Sequence, residues 1–251
     1  MRVIIRDTAE EASRLAAQHI IESFPRGGRL GVATGSTPLG LYEEFRAAHA
    51  RGEFSLSGAT AWALDEYVHI PEDHPERYRN VLLKELVEGD ATGLEADDLR
   101  TPDGKADDPV EAARIYEELI APGVDLQILG LGSNGHIGFN EPFSSLSSRT
   151  HVGVLTGTTR QDNARFFEGD IDKVPELCVT QGLSTILSAK ELVLLAFGKN
   201  KAEAVAKIIE GSVSQRWPGS VLQFHDNTTV YLDEGAASQL ELIDRFKMFH
   251  G

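Results

Sequence analysis

Short apolar runs and amphipathic helical patterns alternate from one end of this 251-residue sequence to the other, and few architectures accommodate that rhythm. The apolar runs fall at residues 3–5, 30–33, 61–64, 126–129, 151–155, 192–197 and 229–232, each short enough for a strand. The stretches between them carry helix-start signals. Thr8-x-x-Glu11 is a capping box, in which the threonine hydroxyl takes an otherwise orphaned backbone N–H, and the helical pattern it opens runs through Phe24. Pro38, Pro75 and Pro109 each stand where a first helical residue would, and Asp108 is a suitable N-cap for the third. The alternation predicts an α/β fold: a doubly wound, mainly parallel sheet of about seven strands with helices on both faces. A chain of this length buries one substantial core, so residues 1–251 are expected to form a single domain. The polar stretch 88–108, rich in Asp with Gly, Thr and Pro, reads as a surface excursion rather than a linker.

In open sheets of this kind ligands collect beyond the carboxyl ends of the strands, so the loops that follow strands are where chemistry is expected. Charge limits what those loops can bind. With 24 Lys and Arg against 39 Asp and Glu, the net charge is −15. That excludes broad contact with nucleic acid or an anionic membrane, both of which need clustered cations. An anionic small molecule must instead be captured by a local basic site working against the net field. No run approaches the ~18 apolar residues of a membrane span, and MRVIIRDTAEEASRLA lacks the apolar segment of a signal peptide. Cys178, the only cysteine, precludes an intrachain disulfide and is expected in the core. A cytoplasmic location is the expectation.

Three loops hold reactive residue types. The run 30–33 leads into Thr34-Gly35-Ser36-Thr37-Pro38 and then a helical pattern, an arrangement whose unpaired backbone N–H groups and hydroxyls suit a phosphate. The competing reading makes Thr37 a plain helix cap. No Gly-Lys-Ser/Thr follows, so a nucleoside-triphosphate loop is not expected. After run 61–64 come Asp65 and Glu66; a carboxylate partly shielded from water suits proton removal from carbon, whereas the plain reading is two solvated strand-end charges. His69 and His74 lie close in sequence but without metal-ligand spacing, so no metal is expected.

The third loop, Gly130-Leu131-Gly132-Ser133-Asn134-Gly135, matches the dinucleotide fingerprint G-x-G-x-x-G. Two poor helix formers and a proline in the following His136-Ile137-Gly138-Phe139-Asn140-Glu141-Pro142 oppose the helix that such a site needs, and no acidic residue ends the next run. No nicotinamide or flavin is expected. Instead the loop sets His136, which titrates near neutrality, close to Glu141, a carboxylate able to fix its tautomer. Arg165, in the helical pattern TRQDNARFF, and Lys201, in Gly198-Lys199-Asn200-Lys201, are cations placed to meet a phosphate; the plain alternative for each is a surface charge.

Together the strings ATGSTP (33–38), LDEYV (64–68), GSNGHIGFNEP (132–142), NARFF (163–167) and GKNK (198–201) resemble the glucosamine-6-phosphate deaminase family, in order and spacing over roughly residues 1–240. The string G-x-x-G-H-I-x-F-N-E-P is specific; ATGSTP is shared with the related 6-phosphogluconolactonases. The resemblance implies a C–N hydrolase of isomerase-type mechanism that converts glucosamine 6-phosphate to fructose 6-phosphate and ammonia without a cofactor. It implies that Asp65 carries a proton between C2 and C1, and that His136 opens the pyranose ring with Glu141 tuning the imidazole. It assigns the 6-phosphate to Thr34, Gly35, Ser36, Thr37, Arg165 and Lys201. Asn134 stands where many members carry Asp; an amide orients a neighbour without stabilising imidazolium by charge, which leaves that task to Glu141. His151 and Gly153 stand where members activated by N-acetylglucosamine 6-phosphate carry basic residues, so no regulatory pocket is expected and a monomer is favoured over a homo-oligomer. A lactonase has no need of Asp65 as a carbon-acid base, and a sugar-phosphate sensor should carry a DNA-binding helix-turn-helix and basic stripe that are missing from this sequence.

Overall fold

The computed structural model describes residues 1–250. Its strands are β1 (Arg2–Arg6), β2 (Arg29–Val32), β3 (Thr60–Ala63), β4 (Asp65–Tyr67), β5 (Leu99–Arg100), β6 (Leu126–Gly130), β7 (His151–Val154), β8 (Leu177–Thr180), β9 (Leu192–Ala196) and β10 (Thr228–Asp233). The helices are α1 (Ala9–Ser23), α2 (Leu39–Ala50), α3 (Tyr78–Leu86), α4 (Pro109–Ile120), α5 (Gly157–Asn163), α6 (Leu183–Leu187), α7 (Ala202–Ile209), α8 (Glu234–Ala237) and α9 (Ile243–His250). Seven strands form a sheet in the order β1-β10-β9-β6-β2-β3-β5. Every neighbouring pair in it is parallel. Near-continuous apolar burial along β9 and β10 is what strands covered on both faces require. The expected doubly wound α/β fold is therefore present, with helices flanking the sheet.

The chain leaves β2 toward β3 and β5, then returns to lay β6 on the other side of β2. The loops after β2 and β6 thus diverge from adjacent strands and open a crevice between them. The close approach of these two strands depends on Gly31. A Cβ there would stand 1.9 Å from Oε1 of Gln127, a wholly buried side chain of β6.

Local signals set the starts of α1 and α4. Thr8 Oγ1 accepts from Glu11 N at 3.2 Å, and Asp108 Oδ1 accepts from Val110 N and Glu111 N at 3.0 and 3.2 Å ahead of Pro109 at the first turn of α4. Pro38 is the cap residue of α2 rather than its first helical residue. Pro75 lies in a turn, and α3 begins only at Tyr78, because its first N–H groups are taken by a carboxylate from another element, Glu66.

Two strand expectations are corrected. The run 151–155 is not a strand of the main sheet: β7 joins β8 and β4 in a separate antiparallel sheet, order β4-β8-β7. Its residues are only partly buried, and Val154 is exposed, as suits an edge. The seventh place in the main sheet goes to β5, inside the stretch 88–108 read as a surface excursion. Two residues, of which only Leu99 is buried, are too few to show an alternation. The small sheet continues β3 past Leu64, so Asp65 lies just beyond the carboxyl end of a central strand.

We expect Gly31→Ala to destabilise the protein by about 1–3 kcal/mol, the usual cost of overpacking a core, because the new methyl group would overlap the completely buried Gln127 side chain. Chemical denaturation read by circular dichroism checks this; a midpoint equal to that of the unsubstituted protein would contradict the tight β2–β6 contact.

Candidate active site

A cavity of about 360 Å³ occupies the crevice, within the size range of small-molecule sites. The loop after β2 supplies Thr34, Gly35, Ser36 and Thr37 to its wall. Tyr42 of α2 pins the base of that loop: its hydroxyl donates to Ala33 O at 2.8 Å and accepts from Ala33 N at 3.1 Å. Arg165 and Lys201 reach the same cavity from the far sides, and Arg165 Nη2 donates to Ser36 Oγ at 3.1 Å. Arg165 sits in a short 3-10 turn, Ala164–Phe166, after α5, with its guanidinium over the Phe166 ring. Burial lowers Lys201 below the ordinary lysine range; Asp162 opposes that shift and Arg165 adds to it. All six residues assigned to the phosphate by sequence meet in this one cavity.

Alternation along β4 separates the two carboxylates that are neighbours in sequence. Asp65 faces the cavity while only 5% exposed. Burial, reinforced by the charge of Glu66 and opposed by the Phe139 N–H, pushes its carboxyl up to about 8. Glu66 turns away. It is completely buried and accepts from Tyr67 N and Tyr78 N on one oxygen and Arg79 N on the other, at 2.9–3.0 Å. The pair is thus one cavity carboxylate and one structural carboxylate that docks α3, and Tyr78 with it, beside the site.

The loop after β6 is not a helix start. It closes through an isolated bridge between Ile137 and Asn140, and α5 begins only at Gly157. Its glycines serve close approach: a Cβ on Gly132 would stand 2.3 Å from Cε1 of His136, so the imidazole lies directly on the backbone. Asn134 lies between His136 and Glu141. Its Nδ2 donates to Glu141 Oε2 at 2.7 Å, and its Oδ1 is 2.8 Å from His136 Nδ1. An amide whose NH2 faces a carboxylate presents its carbonyl to the ring, so Nδ1 must be the donor and Nε2 keeps its lone pair. Glu141 Oε2 is itself 3.6 Å from Nδ1, an ion-pair rather than a hydrogen-bond distance. The direct Glu141-to-imidazole hydrogen bond expected from the sequence is thus replaced by a relay through Asn134.

Glu141 also holds the far wall. Its Oε1 accepts from Thr156 N and Thr156 Oγ1 at 3.1 and 3.2 Å, and Thr156 is the N-cap of α5. Burial works to raise this carboxyl, but the interactions with His136, Thr159 and Thr156 outweigh it and hold it down at about 2. Sequence reasoning missed the other lining residues Tyr78, Phe139, Thr159, Asp162 and Asn163. Only Thr156-x-x-Thr159, a helix-cap pattern, carried a local signal. Among the described residues no three His, Cys, Asp or Glu side chains cluster as a metal site; His74 stacks on Phe167, and Cys178 is buried in the core.

Loop hydroxyls and two cations thus share one crevice of a doubly wound sheet with a buried carboxylate and a histidine, an arrangement suited to a phosphorylated small molecule. Residues 4–231 match the family described as glucosamine-6-phosphate isomerases/6-phosphogluconolactonase, and the chain belongs to that family. It is 49% identical to a glucosamine-6-phosphate deaminase of Beutenbergia cavernae, over 98% of this chain and 95% of that one. It is 48% identical to one of Mycolicibacterium smegmatis with the same coverage. Among solved structures it superposes on a monomeric glucosamine-6-phosphate deaminase with a TM-score of 0.91 at 40% identity, covering 95% of this chain and 100% of the other. A 6-phosphogluconolactonase from Trypanosoma cruzi shares the fold, with a TM-score of 0.77 at 22% identity over 96% and 97% of the two chains.

The Asp65 carboxyl makes a stability prediction whose sign is fixed. The unfolded carboxyl releases its proton near 3.8, whereas the folded one holds it to about 8, so the unfolded state binds fewer protons between these values and stability falls as pH rises. Asp65→Asn, which cannot ionise, should gain stability over the unsubstituted protein by up to ~1.4 kcal/mol per pH unit across that window. Urea midpoints at pH 5 and pH 8 check this; a difference between the two proteins that does not change with pH would remove the buried charge.

Proposed function

We propose that the protein catalyses isomerisation and deamination of D-glucosamine 6-phosphate to D-fructose 6-phosphate and ammonia, in amino sugar breakdown. The observation that carries the reading is a single cavity joining Asp65 and the His136–Asn134–Glu141 relay to a cradle of loop hydroxyls, Arg165 and Lys201. Backbone N–H groups and hydroxyls of residues 34–37, with the two cations, hold the 6-phosphate. That remote binding fixes where the sugar carbons lie, so the acid–base groups need only move protons.

Ring opening requires a proton to leave the C1 hydroxyl and another to reach the ring oxygen. His136 Nε2, with its lone pair toward the cavity, takes and returns that proton, while Glu141 stabilises the transient imidazolium across 3.6 Å and Asn134 holds the ring in place. Asp65 then removes the proton from C2 of the open-chain amino aldehyde, and the enol-type intermediate receives it at C1. The C–N double bond left at C2 is hydrolysed by water, which releases ammonia and forms the ketone. Burial that raises the Asp65 carboxyl makes its ionised form a stronger base, which suits abstraction from carbon. The reaction needs no cofactor or metal. The protein is expected to act in the cytoplasm as a single unit over residues 1–251, and as a monomer, as the solved relative is.

Two outcomes are expected. Asp65→Asn should fold and bind substrate but lose at least ~10²-fold in kcat, the scale of a lost acid–base group. It should also stop exchange of the C2 proton with solvent, read by NMR in deuterium oxide. In the unsubstituted protein kcat/KM should climb with pH, pass half its maximum near pH 8 and level off above that, because the free enzyme's carboxyl must lose its proton to act as the base. Normal C2 exchange in folded Asp65→Asn would take Asp65 out of the mechanism.

Regulation is the second. Activation by a phosphorylated effector needs cations at a second site that favour one conformation. Position 153 has no room for one: a Cβ on Gly153 would lie 3.0 Å from Cys178 Sγ. His151 Nδ1 is already engaged with Arg149 O at 2.8 Å. Velocity should therefore depend hyperbolically on glucosamine 6-phosphate, with N-acetylglucosamine 6-phosphate acting only as a weak competitor. A sigmoidal curve that turns hyperbolic on adding that compound would show a second site elsewhere.

A further inference from the structure

The turn that carries Lys201 is held by a residue outside the cavity. Residues 198–201 follow β9, and Gly198 takes φ +87°, a conformation unfavourable to other residues. A backbone in that region keeps its shape only when its neighbours fix it. Within the turn Lys201 N donates to Gly198 O at 3.0 Å, so the position of Gly198 is passed directly to the lysine. The Gly198 N–H points at Asp233, the last residue of β10, and lies 3.0 and 2.9 Å from its two carboxylate oxygens. Asp233 Oδ1 also accepts from Ala236 N at 2.7 Å and so caps α8. The backbone of α8 in turn packs against the turn: a Cβ on Gly235 would stand 3.1 Å from Lys199 N. β10 and β9 are hydrogen-bonded neighbours, with Leu232 opposite Ala196, which sets Asp233 beside the start of the turn.

We infer that Asp233 is a positioning residue for the anion-binding turn, acting through the Gly198 N–H to hold Lys201 on the phosphate. The inference rests on the reading that Lys201 binds the 6-phosphate. Asp233 does not line the cavity, and a carboxylate behind an anion site works against the ligand by charge. Its contribution is therefore geometric: it satisfies the one N–H that keeps a left-handed residue in place, and it ties the turn to α8 through the same oxygens.

The test measures phosphate binding apart from turnover. Purified protein, Asp233→Ala and Asp233→Asn are compared by steady-state kinetics on glucosamine 6-phosphate, and by calorimetric Kd for inorganic phosphate without sugar. Asp233→Ala should raise KM and the phosphate Kd each by about tenfold, the scale of one charge-assisted hydrogen bond, with kcat within about twofold. Asp233→Asn, whose amide oxygen in place of Oδ1 keeps both bonds, should fall between the two. A merely structural role would instead lower kcat and melting temperature and leave the phosphate Kd of the folded fraction unchanged, and that result overturns the inference. Should Asp233→Ala not fold, Asp233→Asn and Gly198→Ala read the same quantities; an unaltered phosphate Kd in both has the same meaning. Protein that binds phosphate but releases no ammonia would overturn the substrate assignment while the Kd series still decides Asp233. Phosphate binding that is absent, or that survives Lys201→Ala, would overturn both.

Discussion

The carboxylate of Glu141 accepts hydrogen bonds from two sides at once, and the shape of the site follows from how those are met. One oxygen takes Asn134 Nδ2 and faces the imidazole of His136; the other takes the backbone and hydroxyl of Thr156. A buried carboxylate is costly unless its lone pairs are filled, so the loop after β6 and the start of α5 must close on it together. The histidine tautomer, the path of the loop after β6 and the starting point of the segment that brings Arg165 to the cavity are thus one structural decision.

The cradle proposed for the phosphate is built in the opposite way, from many weak contributors on separate elements. The chain carries a net charge of −15, yet charges beyond a Debye length of about 8 Å are largely screened at physiological ionic strength. What an anion meets in the cavity is set by Arg165, Lys201 and the donors of residues 34–37. Asp162 is the local counterweight. It accepts from Ser133 Oγ at 2.7 Å and lines the cavity near Lys201, where it supports the charged form of a lysine that burial disfavours. Strand order makes the convergence possible: β2, β6 and β9 are neighbours or next neighbours, so their carboxyl ends discharge loops into the same crevice.

The sequence revealed what local chemistry encodes and concealed what distant contacts decide. Six main-sheet strands were legible because each is an apolar run long enough to be seen against its surroundings. β5 was not, since two residues hold no period, and the run at 151–155 was assigned to the wrong sheet because apolar runs do not distinguish a central strand from an edge. Asp65 was legible from its place after a strand, whereas the role of Glu66 was not: its partners are the N–H groups of Tyr78 and Arg79, more than ten positions away. The same holds for Pro75, where a local helix-start signal lost to a tertiary one. Asn134 was legible as a departure from the family pattern, but only the fold shows it bridging two partners rather than leaving one of them to act alone.

Asp65 and Glu66 also show why burial and reactivity are hard to separate here. Two adjacent carboxylates leave β4 on opposite faces, and both are withdrawn from water. Glu66 is compensated by three backbone N–H groups; Asp65 has only the Phe139 N–H to oppose its burial and the charge of its neighbour. A residue selected for stability alone would have been given partners or replaced by an apolar side chain. With few donors to oppose its burial, the Asp65 carboxyl lies well above the ordinary range on the side that faces the cavity. Glu66, with its lone pairs filled, docks α3 and with it sets Tyr78 on the wall of the cavity that Asp65 faces.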